Sequence, residues 1–334
     1  MLAYVGKRLV VFVVVLFVIS VGCFSLIHLL PGDPVAAILG TGNTPQNRAV
    51  LMRQMGLDKS FVVQYATWLR NLFHGSFGYG FTQTGGKYSI NHEIGQAFPI
   101  DVEMIILSQI LAFAAAVPLA MRASRKQGGW FDRAANGGSF ALLSIPSFVM
   151  IVYIVKLVAE TLHVPGTAPA AFSQNFLPGL GQFFSQPGTS FAILGHNVMA
   201  LLIPAITLAI GSFVIYFRVL RSDLIANLQE EFITMARSKG LSRRRIMWRH
   251  ALRPSSVALI STAGINIGSL LAGGFVVQYV MSIPGLGYAF TNAITTKNYL
   301  LIQSIVFIIS VSILIITFSV DFLTAVIDPR IARD

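Results

Sequence analysis

The sequence predicts an all-α, polytopic membrane protein with six transmembrane helices and both termini in the cytoplasm. Three observations carry that expectation. The 334 residues are 54% hydrophobic and only 11% charged, with mean hydropathy +0.71; soluble domains carry about 25% charged residues. Six apolar stretches each reach the ~20 residues that a helix needs to cross about 30 Å of hydrocarbon. Basic residues gather in alternate connections, the pattern that sets orientation in a membrane.

The elements follow in chain order. Lys7 and Arg8 precede the first span, residues 9–30, which is longer than the roughly 7–15 residues of a signal-peptide core and reads as an uncleaved anchor. An external segment, 31–99, comes next. Residues 43–55 and 58–73 are expected as short helices, with Gly56 closing the first and Asp58 capping the second. The stretch 61–73 is too short to span and contains Gln64 and Arg70, so it reads as an amphipathic surface helix. Residues 75–95, rich in glycine and polar groups, read as a loop.

Spans two and three are placed at 100–121 and 134–157. The second external segment, 163–197, is rich in proline and glycine. Within it, residues 176–194 are apolar but hold Pro178, Gly179, Gly181, Pro187 and Gly188, so they are assigned to a loop or re-entrant segment. Span four at 198–220, a cytoplasmic loop at 221–256, and spans five and six at 257–281 and 300–326 complete the chain. The organisation expected is an N-terminal segment with the first span (1–30), the external segment (31–99) and a core domain of five spans (100–334). Pro118, Pro146 and Pro204 are expected to kink their spans.

The charge pattern orients this topology. One set of connections holds Lys7 and Arg8; Arg122, Arg125, Lys126 and Arg133; the basic run from Arg218 to Arg253; and Arg330 and Arg333. The opposite set holds Arg48, Arg53, Lys59, Arg70, Lys87 and Lys297. The richer set is assigned to the cytoplasm, and a seventh span would move its most basic loop outside. The net charge of +11 thus points to anionic lipid as partner and not to nucleic acid. A lone cysteine, Cys23, excludes an intrachain disulfide, and the six histidines show no metal-binding spacing. No nucleophile elbow or carboxylate pair argues for catalysis. A phosphate-binding loop needs GxxxxGK[ST]; the nearest imitation, Gly85-Gly86-Lys87-Tyr88, lacks the spaced glycine and the hydroxyl residue. No cofactor or metal is expected on this chain.

The loop 221–256 carries the functional signal. Glu230 and Glu231 open a helix, Gly240 can close it and Ser242 can cap another. Two short helices at an angle are expected, with small residues Ala236 and Gly240 at the bend, apolar anchors Phe232, Met235, Ile246 and Trp248, and an arginine rim. That is the anatomy of a docking surface. Ala236-Arg237-Ser238-Lys239-Gly240-Leu241, followed by Arg249-His250-Ala251-Leu252-Arg253, resembles the coupling loop of bacterial ABC importer permeases of the dipeptide/oligopeptide branch. Leu30-Pro31-Gly32-Asp33-Pro34, Ile283-Pro284-Gly285-Leu286-Gly287 and Asp328-Pro329-Arg330-Ile331 extend the likeness over nearly the whole chain. Thr234 and Met235 depart from the generic pattern of that loop.

The resemblance implies the type I ABC importer transmembrane fold in the cytoplasmic (inner) membrane of a prokaryote. It implies alternating access driven by one or two separate ATPase subunits that hold ATP and Mg, a second homologous permease and an external solute-binding protein. Peptides are the commonest cargo of the family; nickel chelates, glutathione and sugars are carried by relatives. The coupling residues it implies are Glu231, Phe232, Met235, Ala236, Arg237, Ser238, Lys239, Gly240, Leu241, Ser242 and Arg245. A self-sufficient secondary transporter would show inverted repeats and buried charge relays, and neither is visible; an assembly scaffold is a third reading.

Polar residues in the spans are candidates for a translocation path or permease interface. They are Asn266 and Ser269 near Gly264-x-x-x-Gly268, Asp101 and Glu103 at the outer start of span two, and Asp321 near the inner end of span six. Asp101 and Glu103 are expected to face substrate or water, and Asp321 to bond basic loop residues or line a gate. Lys156 and Glu160, four residues apart, are expected to pair.

Overall fold

The computed structural model describes residues 2–29, 33–81, 86–162 and 187–327. Helix α1, Leu2–Leu29, leaves Val10, Val13, Val14, Phe17 and Val18 uncovered by protein along most of its length. In water such a helix has no means of hiding that surface; hydrocarbon satisfies it. The short helix α2, Pro34–Leu39, begins behind Asp33, whose carboxylate accepts from the backbone N–H of Val35 and Ala36 at 3.0 and 3.3 Å. Arg48 forms an ion pair with the same carboxylate.

Helix α3, Pro45–Met55, is capped by Thr44, and Gly56 closes it in the left-handed conformation, as expected. Helix α4, Phe61–Phe73, is the expected amphipathic helix, but Ser60 and not Asp58 stands at its N-cap. Its Trp68 lies edge-on to Phe307 and tilted against Phe24, so the helix lies across two spans. The expected loop at 75–95 is corrected: Tyr79–Phe81 (β1) and Lys87–Ser89 (β2) pair antiparallel, and a helix starts at Ile90. Tyr88 fits only because Gly80 opposite it lacks a side chain. Local strand pairing at a glycine-rich hairpin leaves little apolar periodicity to read.

Helix α5, Ile90–Ser124, runs through Pro99 and begins ten residues before the expected span. The third span, expected to kink at Pro146, bends far enough to break in two. It is two helices, α6 (Trp130–Leu143) and α7 (Ser147–Leu162), bent by 105° at Ser144–Pro146. Pro146 cannot donate to a continuing helix, which breaks there. Pro118 and Pro204, in contrast, lie inside unbroken helices. Helix α8, Pro187–Leu228, takes in residues 187–197 that were assigned to the external loop; proline at its first position has no N–H to leave unpaired.

Helix α9 spans Glu231–Ser238. Helix α10, Arg243–Val280, contains a π-helical turn at Ile246–Ala251. Helices α11 (Leu286–Thr295) and α12 (Tyr299–Ile327) end the described chain. Among the described residues, five helices are long and apolar enough to cross a membrane, and the bent pair α6–α7, taken as one span, makes six. The remainder of 163–197, the Leu30-Pro31-Gly32 and Asp328–Ile331 motifs, Gly85 and the side chain of Glu160 lie outside the described residues.

Helix α5 packs along α8, α8 against α10, α10 against α12, and α12 against α1. The α5–α8 contact rests on a small-residue row: Ala112, Ala116 and Ala120 are fully buried four residues apart, against Tyr216, Phe217, Leu220 and Leu224. Small side chains let helix backbones approach closely, which matters where lipid removes the hydrophobic incentive to associate. Gly264 does the same between α10 and α12, since a methyl group there would strike Val320. Gly268 faces Ile313, so the Gly264–Gly268 pair packs helices within this chain.

Candidate functional site

Helix α9 lies where α8 turns into α10. Its acidic residues Glu230 and Glu231 occupy the N-terminal end, favoured by the helix dipole. At the other end, the Gly240 N–H donates to the Arg237 carbonyl at 2.9 Å and the Leu241 N–H to the Ala236 carbonyl at 3.2 Å. These two bonds require a left-handed residue between them, and Gly240 supplies it at φ +74°. Leu241 then turns back onto the core beside Ala236. Ser242 Oγ accepts from the Arg245 N–H at 3.4 Å and starts the next helix, as expected. That helix is not a separate short one, however: it continues through the π turn into the fifth span. One glycine turn therefore connects α9 to a membrane helix.

The two faces of α9 differ sharply. Ile233 is 0% exposed and Ala236 6%, both packed with Leu220, Leu224, Ile246 and Met247. Phe232 is 43% exposed, Met235 60% and, across the turn, Trp248 52%. Arg237, Ser238, Lys239, Gly240, Ser242 and Arg245 are exposed around them. Ser242, Arg244, Arg245, Trp248 and Arg249 line a shallow groove beside this face. Two expectations change. Ile246 is buried in the chain's own core and is no anchor, and Ala236 supports the helix from below instead of admitting a partner. The one-in-three-to-four spacing that buries Ile233 and Ala236 leaves Phe232 and Met235 on the far side.

The polar candidates of the spans do not form one cluster. Asn266 joins a bundle-centre network: its side-chain oxygen accepts from Ser212 Oγ at 2.7 Å and the Tyr216 hydroxyl at 3.1 Å, and Tyr216 also donates to Gln109 at 2.5 Å. It ties α5, α8 and α10 together. Ser269 is exposed and bonds back to the Ile265 carbonyl of its own helix. Of the two expectations for Asp321, a bond to a basic residue is the one observed: it pairs with Arg8, which lies within α1.

Asp101 and Glu103 are buried, against the expectation that they face substrate or water. Asp101 is 1% exposed and locks the turn between α10 and α11: one carboxylate oxygen accepts from Gln278 Nε2 at 2.8 Å, the other from the Leu286 N–H at 2.7 Å. Gln278 Oε1 in turn accepts from the Gly287 N–H at 2.7 Å. A methyl group at Gly285 would sit 2.5 Å from Gln278 Oε1 and 2.8 Å from Asp101 Oδ2, and one at Gly287 would strike Phe275 Cα and sit 2.9 Å from Gln278 Oε1. Gly285 leaves room for this buried acid–amide pair, and Gly287 for the backbone of Phe275 as well as for Gln278. Gln278 carries no signal in the sequence; only the fold brings it, 177 positions away, to Asp101.

A second ionic contact also escaped the sequence. Arg221 of α8 forks onto Asp132 of α6, Nε to Oδ1 at 2.5 Å and Nη2 to Oδ2 at 2.7 Å, and Asp132 also accepts from the Gly128 N–H. The signal available was that Asp132 is the lone acid in the basic connection from Arg122 to Arg133.

A short helix with one open face on a bent-span bundle invites comparison with known membrane proteins. The family model for the inner membrane component of binding-protein-dependent transport systems matches residues 114–333, and its N-terminal companion model matches residues 1–89. The chain belongs to this family. It is therefore a membrane-spanning permease of the ABC importer type, as the motifs implied. Two similar proteins are the dipeptide transport system permease protein DppB of Escherichia coli, 29% identical, and the di/tripeptide transport system permease protein DppB of Pseudomonas aeruginosa, 28% identical, each with 99% of both chains covered. A putative peptide transport system permease protein of Brucella abortus is 28% identical over the full length of both chains. The core match covers α9 and the Asp101 partners Gln278 and Leu286, while Asp101 itself lies between the two matched segments.

Proposed function

We propose that this permease is one membrane subunit of an ATP-driven importer of di- and oligopeptides, and that α9 is the element a separate ATPase grips. The single observation behind the coupling assignment is the pairing of faces on α9. Phe232, Met235 and Trp248 stand in the open inside an arginine rim, while Ile233 and Ala236 fasten the helix to the bundle. An uncovered aromatic and thioether patch with a charged margin matches what a protein partner buries. Peptide cargo is supported by the names that the relatives carry.

In this reading both termini and α9 face the cytoplasm, in accord with the basic residues concentrated on that side. ATP and Mg reside on the partner, which closes on nucleotide and pulls α9. A second, homologous permease completes the path, and a solute-binding protein delivers cargo to the opposite face. The bundle is the two-state element that the ATPase biases.

Cys23 is buried and is the sole cysteine, so a Cys23→Ser background gives a clean probe. Met235→Cys in that background is expected to cross-link to an ATPase subunit in membranes, and Gly240→Glu to abolish uptake of a labelled dipeptide while leaving membrane insertion intact. Undiminished uptake by Gly240→Glu, or no cross-link, would overturn the coupling assignment. Uptake of a nickel chelate or glutathione in place of dipeptide would overturn the cargo alone.

A further inference from the structure

At the end of α1 remote from Arg8 lies a cavity of about 280 Å³, walled by α1, α3, α4, the hairpin and the first turns of α12. It sits where two apolar helices stop: Phe24 and His28 end α1, and Tyr299 to Gln303 begin α12. That level is the boundary between hydrocarbon and headgroups, and Trp68 and Tyr299 in the wall are residues favoured there. The side chain of Trp68 bridges Phe24 of α1 (5.6 Å between rings) and Phe307 of α12 (5.3 Å), which closes the apolar side.

The polar side has one sign. Lys59, Lys87 and Lys297 line the cavity, and among the described residues no aspartate or glutamate does. Gln303 lines it too, and is 1% exposed. Its Nε2 is the one buried side-chain nitrogen or oxygen among the described residues that lacks a hydrogen-bond partner. An orphaned buried amide donor costs about 1–3 kcal/mol. A cavity lined by this side chain, by lysines and by an apolar wall suits an acceptor-rich anion.

We propose that this cavity binds a phosphate group, with an anionic phospholipid headgroup as the source that its position at the interface favours. Gln303 Nε2 donates to a phosphate oxygen, Lys59 and Lys297 neutralise the charge from the rim, and the face of Trp68 and Phe24 meets apolar chain. Because the cavity joins α4 and the hairpin to α1 and α12, its occupant fastens the external segment to the bundle. The proposal is independent of the ATPase contact at α9.

The test uses the full chain purified in mild detergent, with phosphatidylglycerol, phosphatidylcholine and inorganic phosphate as separate probes and native mass spectrometry as readout. Phosphatidylglycerol is expected to be retained in preference to phosphatidylcholine. Lys59→Gln and Lys297→Gln are each expected to weaken it about fivefold, and Gln303→Leu about tenfold, while Lys239→Gln at the opposite end has no effect. Displacement of the lipid by millimolar phosphate supports the same chemistry and makes the free anion the source. Equal retention of the two lipids with no phosphate bound, or lysine variants that bind as the parent does, overturns the proposal. The lysines are exposed, so their variants answer the question even where Gln303→Leu fails to fold.

Discussion

Helix α10 joins two ends built on opposite plans. At its start, Phe232, Met235 and Trp248 are open to solvent and the surrounding arginines and lysine stand exposed. At its finish, Asp101, Gln278 and the backbone of Leu286 and Gly287 satisfy one another inside the protein, with glycines pared back to make room. In the proposed reading the first end awaits a partner; the second satisfies its polar groups within the chain. A transport subunit needs both, since force applied at an open end moves a bundle only if the distal turn holds its shape. The largest expected effects therefore concern the closed end.

Asp101→Ala is expected to be the most damaging single change. It orphans the Leu286 N–H and the Gln278 amide in a buried site and should cost about 3–5 kcal/mol, read as loss of the monodisperse protein in detergent and a lowered Tm. Asn is no rescue at this position. The carboxylate accepts on both oxygens, whereas an amide accepts on one and would aim its NH₂ at another donor. An Asp101→Asn protein with the parent's Tm would show that the lock does not hold the turn.

The comparison sharpens at two neighbouring residues. Ile233→Asp places a charge in the core under α9 and should cost roughly 3 kcal/mol or more. Phe232→Asp lies on the open face and should stay within about 0.5 kcal/mol of the parent in stability, yet lose transport. Equal Tm loss in both variants would mean that α9 has no free face.

How much of this was legible follows the range of the interactions. The spans, the amphipathic α4 and the Gly240 turn are written in local composition and spacing, so they could be read directly. The bend at Pro146 was marked by its proline, but Pro118 and Pro204 carry the same mark without a break, because neighbouring helices decide whether a freed carbonyl is satisfied. Ile246 and Ala236 were read as partner-facing because periodicity gives the faces of a helix but not which one the bundle takes. Asp101 was visible as an unusual acid, while its partners Gln278 and Leu286 were not, since nothing local links residues so far apart.

A smaller expected effect concerns Arg221 and Asp132, where α6 meets α8. Their side chains are 19% and 5% exposed, and the guanidinium forks onto both carboxylate oxygens. Asp132→Asn should cost about 2 kcal/mol, below the range for a fully buried pair because Arg221 keeps some solvent. Arg221→Lys keeps the charge but loses the fork, and should recover only part of that loss. Full recovery by lysine would make the contact a matter of charge alone.

The smallest effect is expected in the external segment, at Asp33. Burial pushes its carboxyl up, but the hydrogen bond from Arg48 and those from the Ala36 and Val35 N–H groups outweigh it and hold the group below its ordinary value. The folded state therefore binds this proton less readily than the unfolded one. The resulting stability is present above the unfolded carboxylate range and is lost as pH falls through the lower, folded value. Both side chains of the pair are more than a third exposed, so solvent screens them and Asp33→Asn should cost less than about 1 kcal/mol. Tm measured at neutral and acid pH should show the parent and the variant converging at the acid end, and salt should narrow the neutral-pH gap. A gap as wide as that at Asp132, or one indifferent to salt, would mean that α2 and α3 are held as firmly as the bundle beneath them.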